Sequence, residues 1–378
     1  MLRFVRTGEG LKACRSQSHR AVTGLLSLAI GRETHPKFMN DLAASDAMAL
    51  AEISQSHFVD TVLATAFEKR DDIAANLPND LRIFFQEMQD ANVRRNQGLL
   101  DQLRKIGQAF AEKGIKVVAL KGSAELLVPY SSREGHRYIS DIDILAREED
   151  LDKIVAILKQ LGAHHSPGEE DFPSDHHHLS PFVCDTWPAQ VEVHRRLGDG
   201  VTDEIISADS MLNAALPSPL KGILLPTPTA RLLHLVAHAQ LSSGRHDRGG
   251  FSLRDVLDFE NLTSVSEGGS ARDAQARFAS RGEGETFDGF WTLSRCIFHY
   301  RSPEIKMLGG HQWAAKALAL YGRPNLKRLL EALWIARVYL GDIFSNSNRH
   351  GYRTRKLKSP REISRSLRFH RKRNRLIR

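Results

Sequence analysis

The stretch that most constrains this chain is Asp141-Ile142-Asp143-Ile144-Leu145. Alternate side chains of a β-strand share a face. In that conformation both carboxylates point one way, and Ile142 and Ile144 point into the opposite layer. One face of the strand is therefore core and the other is polar. Two carboxylates one pleat apart repel each other unless a cation sits between them. Mg²⁺ suits that place, because it takes one or two carboxylates and fills its octahedron with water and phosphate oxygens. A bare D-x-D also fits an exposed strand end with two solvated acids, so the decision rests on what surrounds it.

Upstream, residues 115–120 read as a buried strand ending in Lys121-Gly122-Ser123, and residues 124–128 begin a helix. Strand, glycine turn and helix N-terminus together favour an anion, because free backbone N–H groups and the helix dipole both face it. Gly122 permits close approach of the backbone. Ser123 can cap the helix or donate to a phosphate oxygen. Downstream, Leu151, Ile154, Val155, Ile157 and Leu158 recur at helical spacing, which predicts a helix over 148–161. Residues 178–184 and 190–194 then read as two strands around the turn-like segment 185–189. In the second of them Val191 and Val193 share one face, and Glu192 and His194 the other. Glu192 supplies a third carboxylate.

This order of elements resembles the DNA polymerase beta-like nucleotidyltransferase superfamily. More closely it resembles a group of uncharacterised bacterial nucleotidyltransferases that carry L-K-G, R-x-x-x-D-I-D-h-L and h-E-h-H. Here those are Leu120-Lys121-Gly122, Arg137 to Leu145, and Val191-Glu192-Val193-His194. The group's helical H-x-x-x-H and L-R-x-h-x-D are matched by His234 and His238 and by Leu253-Arg254-Asp255-Val256-Leu257-Asp258. The resemblance covers about residues 40–340. One departure is a longer spacing from Gly122 to Asp141, through a loop over 129–136 that can reshape the nucleotide pocket.

The resemblance implies transfer of a nucleoside monophosphate from an NTP such as ATP to a hydroxyl acceptor, with release of pyrophosphate. It implies Mg²⁺ or Mn²⁺ held by Asp141, Asp143 and Glu192, which are thereby the expected catalytic and metal-binding residues, in a two-metal arrangement. Lys121, Gly122, Ser123 and Arg137 are the expected nucleotide-binding residues. Arg137, four residues before the first aspartate, can instead pair structurally with acids. The implied fold is α+β: a small mixed nucleotidyltransferase sheet with flanking helices, embedded between N-terminal and C-terminal helical regions. A non-catalytic nucleotide-binding or scaffold protein that kept this fold is the alternative.

The rest of the chain sets the frame. Its length allows an N-terminal helical region (1–104), a catalytic core (105–225), a C-terminal helical domain (226–350) and a basic tail (351–378). Helices are expected over 41–53, 58–67, 81–103, 230–241, 287–298, 312–320 and 326–344, a polar loop over 242–250 with Ser252 capping the next helix, and a surface linker over 264–286. The tail carries twelve Lys or Arg against one acid, Glu362, which exceeds the whole chain's +8 and leaves the body mildly acidic. A basic segment interspersed with Ile363, Leu367 and Phe369 fits RNA or an anionic membrane surface, and equally a solvated disordered extension. Three scattered cysteines, without C-x-x-C spacing, point to a reducing cytoplasmic setting. The apolar run over 21–30 is too short to span a bilayer and reads as a first helix, so no transmembrane segment is expected.

Two histidine groups stand apart. His176-His177-His178 can bind a transition metal but reads more simply as a surface cluster ahead of a strand. His234 and His238 share a helix face and lack the glutamate of H-E-x-x-H. With His246, Asp247 and Asp258 they allow a metal-dependent phosphohydrolase. The preferred placement packs them between helical domain and sheet, or against the nucleotide.

Overall fold

Strands β1 (Val117–Ala119), β2 (Ile142–Leu145), β3 (His164–His165), β4 (Phe182–Val183), β5 (Val191–His194), β6 (Leu216–Pro217) and β7 (Ile223–Leu225) form one seven-stranded sheet, ordered β3-β4-β5-β2-β1-β7-β6. The computed structural model describes residues 14, 16–68, 70–128, 135–166, 176–265, 269–299 and 308–344. The sheet is mixed: β2 runs antiparallel to β1 and parallel to β5, while β1 runs parallel to β7. The basic tail, most of the 129–136 loop and the linker's residues 266–268 lie outside the described residues.

The expected alternation sorts the sheet into two faces. Val117, Ala119, Ile142, Ile144, Val191 and Val193 share one apolar core with Leu99, Leu103, Ile106 and Phe110 of α6 (Asn79–Glu112) and with Ile154 and Leu158 of α8 (Leu151–Gln160). Val118, Leu120 and Leu145 belong to a second core on the opposite face. That face carries Asp143, Glu192 and His194, so the polar residues look towards the helical layers.

Those layers come from both ends of the chain. At the N-terminal end lie α1 (Gln17–Ala29), α2 (Phe38–Ala43), α3 (Ala47–Ser56), α4 (Asp60–Phe67) and α5 (Asp71–Ala74). Beyond α7 (Lys121–Leu127) and α8 lie α9 (Val201–Ile205), α10 (Ala208–Asn213), α11 (Pro228–Val236), α12 (Arg245–Arg248), α13 (Leu253–Val265), α14 (Gly269–Ala279), α15 (Gly284–Phe298), α16 (His311–Tyr321) and α17 (Pro324–Phe344). Leu25, Phe85, Phe259, Phe287 and Phe290 belong to one core, so early and late helices bury apolar surface against each other. No helix among the described residues is long and apolar enough to cross a membrane.

Several expected boundaries change. The helix expected over 41–53 is two helices, because Asp46 caps α3 by accepting from the Ala49 N–H. The segment 264–286 is not simply a surface linker: α14 runs through it and buries Ala271, Ala274 and Phe278. Their spacing of three and four places them on one helical stripe amid polar residues. The loop expected over 242–250 contains α12, bracketed by Gly244 and Gly249 at φ +61° and +64°. Ser252 donates its hydroxyl to the His57 carbonyl, and His57 Nδ1 accepts the Leu253 N–H at 3.1 Å. After α11 the helix widens into a π-helical turn, Ala237–Ser242, a rare feature often found near functional sites.

His57 and His19 both pack edge-on against Tyr321, with ring centroids 5.2 and 4.5 Å away. Burial, then the charge of Lys327, pushes His19 down to about 4. Burial holds His57 well below the usual histidine range, with Lys327, His19 and Arg245 adding to the effect. Unfolded histidines titrate near ~6.5, so below that pH the unfolded chain binds more protons than the folded one. The stability these residues contribute is complete above about pH 6.5 and declines as the pH falls towards 4 and below. His57→Asn preserves an acceptor in place of Nδ1 and removes the titration. Thermal melts between pH 7 and 4 should slope less steeply for this variant, and an unchanged slope would remove His57 from the account.

Candidate active site

Parallel pairing of β2 with β5 sets Asp143 opposite Glu192 and Leu145 opposite His194. On a pleated surface this clusters Asp143, Glu192 and His194 on one face. Asp143 is only 2 % exposed. Its Oδ1 accepts from Lys121 Nζ at 2.8 Å and lies 2.8 Å from His194 Nε2. Burial, then the charges of Lys121 and His178, keeps the His194 pKa well below the ordinary value. His194 is therefore neutral at pH 7 and donates its Nε2–H to Asp143.

Lys121 opens α7 with φ +45°, a left-handed conformation that a residue with a Cβ adopts only at a cost. Burial works against its charge, but Asp143, Glu192 and Asp141 outweigh it and hold the ammonium pKa above the ordinary value. Lys121 is therefore a firm cation beside three carboxylates. Ser123 is fully buried and accepts the Asp143 backbone N–H at 2.9 Å, tying the start of α7 to β2. A Cβ on Gly122 would lie 2.9 Å from the Ile139 side chain, so the glycine lets α7 settle on the segment leading into β2.

Asp143, Glu192 and His194 form a group able to hold a metal, with their ligand atoms within 4.8 Å of one another. Two carboxylates and an imidazole fit Mn²⁺ well, and the carboxylates also suit Mg²⁺. Asp141 is not in this group. It stands just ahead of β2, and its Oδ1 accepts from the Ser140 hydroxyl at 2.9 Å. Burial, then the Asp143 charge, raises the Asp141 pKa, while Lys121, Ser140 and Arg254 counter the rise. Of the three acids expected to act together, the structure thus brings Asp143 and Glu192 into one ligand set and leaves Asp141 at its edge. His194 joins them, and its position two residues after Glu192 on a strand was the signal for it.

The His176–His178 run is not a surface cluster. It is half-buried, and His178 bridges in β fashion to His194, with ring centroids 5.3 Å apart. His178 Nε2 lies 4.0 Å from Glu192 Oε2, and the three histidines form a second group with metal-binding spacing. Burial and mutual proximity push His177 down to about 2 and His178 to about 4, so both are neutral at pH 7. His234 is buried on the helical side, and its ring centroid lies 5.9 Å from that of the exposed His238. Burial, then the Lys121 charge, pushes His234 down to about 3.

Arg137 does not join the acid pair. Its Nε donates to Asp258 Oδ2 of α13 at 2.8 Å, and Asn92 and Asn96 of α6 both donate to its carbonyl. Arg137 and Asp258 line a small cleft of about 120 Å³ together with Asn96, Gln97, Leu126 and Leu257. Asp143 and Glu192 are not part of that lining.

A family model described as an uncharacterised nucleotidyltransferase matches residues 43–283, well over half of the chain. The match takes in the sheet, the acid-bearing strands and the helices from α3 to α14. The comparisons found no match among curated proteins and none among solved structures.

Proposed function

Because the chain belongs to this family of uncharacterised nucleotidyltransferases, we propose that it transfers a nucleoside monophosphate from an NTP to a hydroxyl acceptor at the face shared by Asp143 and Glu192. The observation that carries this reading is their direct opposition on parallel strands, beside a lysine at a helix start. In the reaction the acceptor oxygen forms a bond to the α-phosphorus. The bond from that phosphorus to the β-phosphate oxygen breaks, and pyrophosphate leaves with the electron pair.

Asp143 and Glu192, with His194 beside them and Asp141 at the rim, would hold the divalent cation. When bound, the cation neutralises phosphate charge and polarises the acceptor hydroxyl. Lys121 supplies a fixed positive charge at the start of α7, where free N–H groups favour phosphate. The raised pKa of Asp141 suits a carboxylate that shares a cation or receives a proton at the rim.

The test incubates purified protein with each α-labelled NTP, Mg²⁺ or Mn²⁺ and cell extract, and follows label by size. We expect transfer with at least one NTP, lost on chelation. The size class of the product separates RNA, protein and small-molecule acceptors. No labelled product with any NTP, from a chain that melts cooperatively, would favour the non-catalytic scaffold instead.

A further inference from the structure

The helical layer facing the acids holds a half-buried network of arginines. Arg137 donates to Asp258 at 2.8 Å, Arg245 to Asp255 at 2.9 Å and Arg231 to Glu125 at 3.1 Å. Arg254, the second residue of α13, makes no hydrogen bond among the described residues, and its Nε is buried without a partner. Its ion pair is a long one, 3.6 Å from Nε to Asp255 Oδ1, on a group already bonded to Arg245. Four guanidinium groups of this network thus meet three carboxylates, and Arg254 has only a share of Asp255. A largely buried charge that only shares an anion is costly. Burial, then the Arg137 charge, accordingly lowers its pKa. The side chain is 24 % exposed, so a ligand can reach it.

A second, independent feature concerns how Arg254 is held. Its guanidinium lies 4.9 Å over the ring of Phe58. Phe58 in turn stacks on Tyr138, with planes 8° apart, three residues before Asp141. Arg95 of α6 fixes that approach by donating to the carbonyls of Ile139 and Ser140. Phe58 has φ +54°, and Lys121 is the other non-glycine residue with positive φ among those described. Such strain persists where the surroundings impose it, and it collects at functional sites. Here one strained residue is the cation beside Asp143, and the other is the platform beneath Arg254.

We infer that Arg254 is a polyphosphate-binding residue of the site: its guanidinium, held over the ring of Phe58 beside the entry to the acid strand, takes the β- and γ-phosphates of the NTP. This rests on the nucleotidyl-transfer reading. It gives Arg254 the role that Arg137, committed to Asp258, does not fill. The planar fork of an arginine matches phosphate oxygens in pairs, and a charge short of an anion gains most from one.

Inorganic tripolyphosphate is a probe that isolates this contact from base and acceptor. Full-length protein is titrated calorimetrically with it in Mg²⁺ buffer, and Mn²⁺ binding is followed separately by electron paramagnetic resonance. Arg254→Ala should weaken tripolyphosphate binding about tenfold or more. Arg254→Lys should recover part of the loss, and Mn²⁺ binding without polyphosphate should be unchanged in both. Phe58→Leu, which keeps Arg254 and removes its platform, should weaken the probe by a smaller factor. Binding through residues 351–378 is common to all variants and cancels in the comparison. If Arg254→Ala does not fold, Arg254→Lys and Phe58→Leu decide, and wild-type affinity in both overturns the assignment. Wild-type affinity in a folded Arg254→Ala, with label transfer intact in the parent chain, overturns the Arg254 role alone. Absence of both transfer and probe binding in the parent chain overturns the underlying reading as well.

Discussion

Asp143→Asn should reduce nucleotidyl transfer by about a thousandfold or more, because losing one charged ligand from a phosphoryl-transfer site removes several kcal/mol of transition-state stabilisation. Asparagine keeps the side-chain shape and an oxygen that can accept from Lys121. It removes the charge that Lys121 and His194 are built around, at a position only 2 % exposed. Rates are therefore to be compared per folded molecule, since Lys121 loses its ion pair in the same step. Asp141→Asn should cost less, because Asp141 stands outside the set formed by Asp143, Glu192 and His194. The ranking is itself a test. Equal losses at the two positions would place the cation between the aspartates, as the D-x-D alternation first suggests. Near-full transfer by Asp143→Asn would mean that the chemistry lies elsewhere.

The acid-bearing strands were legible because their signal is local. A period of two in Ile142, Ile144, Val191 and Val193 dictates one buried face, and everything between those positions falls on the other. The register that sets Asp143 against Glu192 is not local, and no pattern within either strand specifies it. Strands β3, β6 and β7 span two or three residues each. That is too short for periodicity, so their existence depends on the neighbour they pair with.

The same distinction divides the site residues. Lys121, Asp143 and Glu192 stand beside one another as motif spacing implied. Arg137 reads in sequence as a neighbour of the aspartates, yet its partner Asp258 lies on a helix more than a hundred residues later. Burial of Asp258 calls for a cation, and Arg137 meets that need. The consequence reaches Arg254, which occupies the same helix and shares Asp255 with Arg245. Charge pairing across distant segments is a property of the folded layer, so it becomes readable only once α13 is seated against the segment leading into β2. The His176–His178 run follows the same logic. It reads as solvated until the isolated bridge between His178 and His194 draws it onto the acid face.

Seating the sheet against α6 depends on two glycines, and Gly222→Ala should cost about 4 kcal/mol or more, in the range reserved for core overpacking and backbone strain. Gly222 has φ +74°, and a Cβ there would lie 2.1 Å from the Gly107 carbonyl oxygen and 3.1 Å from the Ala111 nitrogen. These are backbone atoms of α6, which cannot rotate out of the way. The Gly222 carbonyl also accepts the Val117 N–H, so a shift here disturbs β1, two residues before the turn that leads into Lys121. Gly114→Ala is the control. Gly114 has φ +71° at the end of the same helix, and an added Cβ there meets nothing within 4 Å. That variant should lose only the left-handed strain, about 1–2 kcal/mol. Urea unfolding of both variants separates conformational strain from the backbone clash. If the two lose stability equally, the Gly107–Gly222 contact is looser than described, and α6 does not fix the position of β1 and the lysine that follows it.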